Sequence, residues 1–163
     1  CSPRAETVAA THRRRAPGAT GSTFVQSALA DSGLFIGLFD ADDKHHARCA
    51  AFIESYRGRL ITTWQVLTEA LAMLSARQQA RLLTWIHRGV SSSLIRIECT
   101  DPADLPKAIE LTEKYRDQPM DFADASIYLL ALRTGITSVV SVDRKDFAVY
   151  RLPGKKSFTN LLR

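Results

Sequence analysis

Cysteine is sparse in this 163-residue chain: Cys1, Cys49 and Cys99 make an odd count with no Cys-x-x-Cys pair. Such a set excludes a disulfide framework and fits a reducing, cytoplasmic setting. Histidine is also scarce. His45 and Cys49 stand four apart on an expected helix, but no third ligand lies near them, which argues against a structural zinc site. Long hydrophobic runs are missing too. A membrane-spanning helix needs about 20 apolar residues, and the longest candidate, "ASIYLLALRTG", is interrupted by Arg133 and Gly135. No internal repeat is visible.

The charge that is present is unevenly placed. The net charge is +5, yet residues 1–22 hold four arginines and one glutamate, and the remainder carries 18 basic against 16 acidic residues. The high pI is therefore mostly a property of that segment, which is rich in Ala, Thr, Arg and Gly and lacks periodicity. It reads as a disordered tail or a non-native extension. Residues 23–163 are enough for one domain with a real core, and hydrophobic content of 45% is that of a globular protein.

Strand-like and helical patterns alternate along that domain. "TFVQSALA" (23–30) reads as a first buried strand, followed by the apolar run "SGLFIGLF" and the polar loop "DADDK". A helix is expected over 45–56, a strand at "RLITT" (59–63), then helices over 64–75 and 76–89. "SLIRIEC" (93–99) alternates as a strand, and Asp104 with an early proline opens a helix over 104–117. The last two elements are a helix over 121–134, stopped by Gly135, and the β-branched strand "TSVVSV" (137–142). This order implies an α/β fold with a central, mostly parallel sheet flanked by helices.

In such folds functional groups gather at the carboxyl ends of strands, and that is where the acids fall. Asp31 follows the first strand and Asp143 the last. Asp121 and Asp124 head a helix, where they could simply form a capping pair. Glu69 lies in "WQVLTEALAML" between Trp64, Leu67 and Met73, with no Lys or Arg between Arg59 and Arg77. An ionised carboxylate in apolar surroundings is costly unless compensated. A shared cation would neutralise several such acids at once, and an all-oxygen donor set suits Mg²⁺ or Mn²⁺.

From about Phe24 to Leu162 the chain resembles PIN-domain ribonucleases, in particular the VapC toxins of type II toxin–antitoxin pairs. The matching pieces are "ALADSGLFIGLFDADDKHHARCAAF", "LITTWQVLTEALAML", "YRDQPMDFADASIYLLALRTGI" and "SVVSVDRKDFAVYR". The resemblance implies a three-layer α/β/α architecture and metal-dependent hydrolysis of RNA by an activated water. It puts the acidic quartet, catalytic and metal-binding, on Asp31, Glu69, Asp124 and Asp143. Asp121, Asp146, Ser32 and Ser141 become supporting positions, with Ser141 standing where such proteins usually carry threonine. The resemblance further implies a small cognate antitoxin that covers the site, and a homodimer.

Arg144 and Lys145 directly follow Asp143 and are the candidates for phosphate contacts, although a solvated turn would look the same. Trp64, Trp85 and Tyr128 fall at helical core spacing, so no base-stacking aromatic stands out. Four other readings share some of these features. "GLFDADDK" offers Asp40-x-Asp42, as in aspartyl-phosphate phosphatases, but Asp43 and Lys44 follow where a small hydroxyl or apolar residue is needed. An EF-hand fails because Lys44 and His45 occupy positions that require an oxygen ligand and glycine. A PIN nuclease that processes RNA outside any toxin pair, or a degenerate PIN scaffold that only binds a partner, would share the same fold.

Overall fold

A computed structural model of the chain describes residues 26–118 and 120–162. The segment 1–22, read above as a tail, lies outside them. Among the described residues a five-stranded, all-parallel sheet forms the middle layer, in the order β3-β2-β1-β4-β7. Its strands are β1 (Ser27–Ala30), β2 (Arg59–Thr63), β3 (Ile95–Glu98), β4 (Ser138–Val140) and β7 (Thr159–Asn160). The central strands read as near-continuous apolar runs because helices cover both faces. Ala28, Leu29, Ala30, Val139 and Val140 are all fully buried.

Seven helices flank this sheet among the described residues: α1 (Ser32–Phe39), α2 (His46–Ser55), α3 (Trp64–Met73), α4 (Ala76–Ser91), α5 (Leu105–Lys114), α6 (Phe122–Thr134) and α7 (Arg144–Val149). The apolar run after Asp31 is thus a helix, α1, whose Leu34 and Phe35 are buried. It enters the sheet so closely that a Cβ on Gly33 would collide with the Val142 side chain. The helix expected over 104–117 is divided into a 3₁₀ turn at Pro102–Asp104 and α5. The carboxy-terminal part adds an antiparallel pair, β5 (Arg151–Leu152) with β6 (Lys156–Ser157), before β7.

Helix α6 is buried nearly all round, from Ala123 through Ala131 except Asp124. Gly135 ends it in the left-handed region, at φ 72°, a conformation glycine adopts at little cost. Among the described residues, no helix is long and apolar enough to cross a membrane.

Candidate active site

The parallel sheet brings the ends of β1, β2 and β4 side by side, and each strand delivers a polar residue there. The Asp31 backbone N–H donates to the Val140 carbonyl at 3.1 Å, extending the β1–β4 ladder by one step. Ser141 then faces Asp31. Its hydroxyl donates to Asp31 Oδ2 at 2.7 Å and accepts the Asp143 backbone N–H at 3.0 Å. The hydroxyl that the sequence retains at position 141 therefore ties two candidate acids together. Asn160 of β7 holds the Ser141 carbonyl from the far side at 2.8 Å.

From β2, Thr63 caps α3 by accepting the Val66 N–H, and its hydroxyl meets that of Ser126 on α6 at 2.7 Å. Both hydroxyls are buried. This bridge pins α3 against α6, and with it Glu69 against the head of α6. There Asp121 is the N-cap, its Oδ1 accepting the Asp124 N–H at 2.8 Å. The capping reading of Asp-x-x-Asp is correct for Asp121, while Asp124 faces the site.

Electrostatics show which acids share a neighbourhood. Asp31 is buried and its carboxyl is pushed above the usual range, first by desolvation and then by Asp121, against the Ser141 hydroxyl and the Ser32 and Gly33 N–H groups. Glu69 is also raised, chiefly by burial, with Asp121 and Asp31 adding repulsion and the Ser32 hydroxyl opposing it. Asp124 is pushed up to about 8 by burial, by Asp31 and by Asp121. Tyr150, fully buried, donates its hydroxyl to Asp124 Oδ2 at 2.9 Å. Carboxyls raised first by burial and further by neighbouring acids mark a site in which negative charge is uncompensated. The ion pairs among the described residues, Arg96–Glu98, Lys107–Glu110 and Arg133–Asp104, involve none of these acids.

The expected quartet is brought together unevenly. Asp31, Glu69 and Asp124 form one group, and Asp121, expected only in support, stands among them as the acid all three feel. Asp143 stands a step away. It caps α7 through Oδ1, accepting the Lys145 and Asp146 N–H groups at 2.9 and 3.2 Å. Its charge acts on Asp146, which in turn reaches Asp124 and Asp121. Arg144 and Lys145 are exposed in the first turn of α7 rather than in a free turn.

Two expectations fail. Trp64 is 53% exposed and Met73 70% exposed, so neither belongs to the core that their spacing suggested. Glu69 is correspondingly only half-buried. Tyr150, the C-cap of α7, carries no mark of a carboxylate partner in the sequence, because only the fold brings it to Asp124.

The donor set fits a hard divalent cation: all oxygen, negatively charged, and lacking a basic partner. Among the described residues no group of three or more His, Cys, Asp or Glu side chains is drawn in tightly enough to hold a metal ion as it stands. Like charges with nothing between them stay apart. Asp121 and Asp143 are exposed and Glu69 is half-buried.

A family model described as the PIN domain matches residues 28–152, and the chain belongs to that family. Its relatives can be named more narrowly. Ribonuclease VapC26 of Mycobacterium tuberculosis is 24% identical over 131 residues, covering 80% of this chain and 97% of that protein. The crystal structure of VapC20 from the same organism, a Sarcin-Ricin loop cleaving toxin, superposes with a TM-score of 0.63 at 19% identity, over 73% of this chain and 92% of the other. At that identity the likeness establishes the fold.

Proposed function

We propose that this protein is a divalent-metal-dependent endoribonuclease, the toxin of a toxin–antitoxin pair. The observation that carries the reading is the group of Asp31, Glu69 and Asp124, each raised first by burial and then by the neighbouring Asp121 charge, and without a basic partner, at the carboxyl end of the central strands. Asp31, Glu69, Asp124 and Asp143 would hold Mg²⁺, with Mn²⁺ as a substitute. Bound there, the cation supplies Lewis acidity, stabilising charge on the phosphate and lowering the pKa of water for in-line attack. Ser141 orients Asp31, Tyr150 orients Asp124, and Ser32 steadies Glu69. Arg144 and Lys145, exposed beside Asp143, offer positive charge to the RNA backbone. Asp121 and Asp146 tune the charge around the ligands.

Similarity to VapC toxins supports a small cognate antitoxin, a homodimer and a cytoplasmic setting, which the free Cys49 and Cys99 suit. The test is cleavage by the purified full chain of total bacterial RNA and of an RNA hairpin with the sarcin-ricin loop sequence. Cleavage with millimolar Mg²⁺, leaving 5′-phosphate ends and abolished by EDTA, is the expected result. Intact RNA under Mg²⁺ and Mn²⁺ alike would leave a partner-binding scaffold as the better reading.

A further inference from the structure

Two large rings project from the rim of the acidic group. Trp64 is the first residue of α3 and Phe122 the first of α6, the helices that the Thr63–Ser126 bridge holds together. They are 53% and 46% exposed, and among the described residues neither pairs with another aromatic ring. Both line one open cavity of about 500 Å³, together with Gln65, Thr68, and the acids Glu69 and Asp121. Burying such rings in the core would be favourable, so their projection at the edge of a charged site is a cost that a ligand can recover.

Gln65, one of the lining residues, carries an unmet polar group. Its side-chain oxygen is buried without a hydrogen-bond partner. Thr68 donates its hydroxyl to the Trp64 carbonyl at 2.8 Å and keeps lone pairs for a donor. Aromatic faces with a few amide and hydroxyl groups at their edge are what an unpaired nucleobase requires.

We propose that Trp64 and Phe122 form a stacking subsite for one unpaired nucleobase of the RNA, next to the Glu69–Asp121 edge of the acidic group. The subsite rests on the nuclease reading above and adds to it a stacking contact with one base beside the cleavage point. It holds the nucleotide flanking the scissile phosphate, so that the backbone crosses the acids rather than the neighbouring helix faces. Gln65 and Thr68 meet the edge of the base.

The experiment compares the full chain with Trp64→Ala, Trp64→Phe and Phe122→Ala. Binding of a short fluorescein-labelled single-stranded RNA is measured by anisotropy with Ca²⁺, and its cleavage with Mg²⁺. The same strand with abasic residues, and sedimentation of each variant, complete the set. Loss of one stacking contact weakens binding of the RNA roughly 5- to 150-fold in Trp64→Ala. Trp64→Phe keeps most of the affinity. The abasic strand binds parent and variants alike, and the salt dependence of binding is unchanged because no phosphate contact is lost. RNA binding by both alanine variants within twofold of an active parent overturns the subsite and leaves the nuclease reading standing. Equal weakening on the abasic strand, or a shift from dimer to monomer in the alanine variants, also overturns it, the latter assigning the rings to self-association. A parent that neither binds nor cleaves RNA removes the nuclease reading and the subsite together.

Discussion

Asp124 shows how one carboxyl can be both bland and functional. Its backbone N–H completes the Asp121 cap, while its side chain meets Asp31, Asp121 and the Tyr150 hydroxyl. Asp124→Asn leaves the cap and the tyrosine contact in place and, above about pH 8 where Asp124 is ionised, removes one of several crowded charges. A like-charged pair ~4 Å apart repels by ~1–4 kcal/mol depending on screening. The metal-free variant should therefore melt at the same temperature as the parent or higher, while Mg²⁺-dependent cleavage falls ~10²–10³-fold. Asp121→Asn is the partner measurement. Asparagine caps a helix about as well as aspartate, so this variant stays folded and loses less cleavage. Parent-like cleavage by Asp124→Asn would return that residue to a helix-end role.

At the scale of elements, the acids are placed by how strands turn into helices. Thr63, Asp121 and Asp143 cap α3, α6 and α7, whereas the Asp31 carboxylate before α1 accepts the Ser141 hydroxyl. The turn into α1 has no room to spare, since any side chain on Gly33 runs into Val142, the residue between Ser141 and Asp143. Gly33→Ala should destabilise the fold by ~1–3 kcal/mol through overpacking and slow cleavage beyond that loss, by displacing Asp143 relative to Asp31. Gly135→Ala is the contrast. Its φ of 72° disfavours alanine by ~1–2 kcal/mol, but nothing lies within 4 Å of the added Cβ, so cleavage per folded molecule is unchanged. Urea melts and cleavage rates of the two variants separate these effects; equal catalytic losses would contradict the Gly33 argument.

Over the whole molecule, uncompensated charge links folding to pH and to metal. The Asp124 carboxyl titrates at about 8 in the fold and near 4 in an unfolded chain. Between those values the folded state holds the extra proton, so the metal-free protein loses stability as pH rises from about 4 to about 8. Burial raises Asp31 and Glu69 as well, which adds in the same direction. A divalent cation requires the ionised form, so its stabilisation grows across the same window. Thermal melts at about pH 6 and pH 8.5, in EDTA and in millimolar Mg²⁺, should show the apo melting temperature falling with pH and the Mg²⁺ increment rising. An increment independent of pH would mean that these carboxyls do not bind the cation.

Periodicity and punctuation along the chain sufficed for most elements. Alternating apolar runs and helical stripes located β2, α3, α4 and α6 within a few residues, because each buries its own local pattern in one core. The acids at strand ends were legible for the same reason, since a parallel sheet places every strand's carboxyl end on one side. Local pattern carries no information about distance between elements, and there the tertiary structure decided. It put Asp121 among the acids and set Asp143 beside Asp146, because α6 packs against α3 and β1 while Asp143 turns to cap α7. It brought Tyr150, 26 residues away, onto Asp124. It also turned Trp64 outward: a helical stripe says which residues share a face, but only the packing of α3 against α6 determines which face is covered.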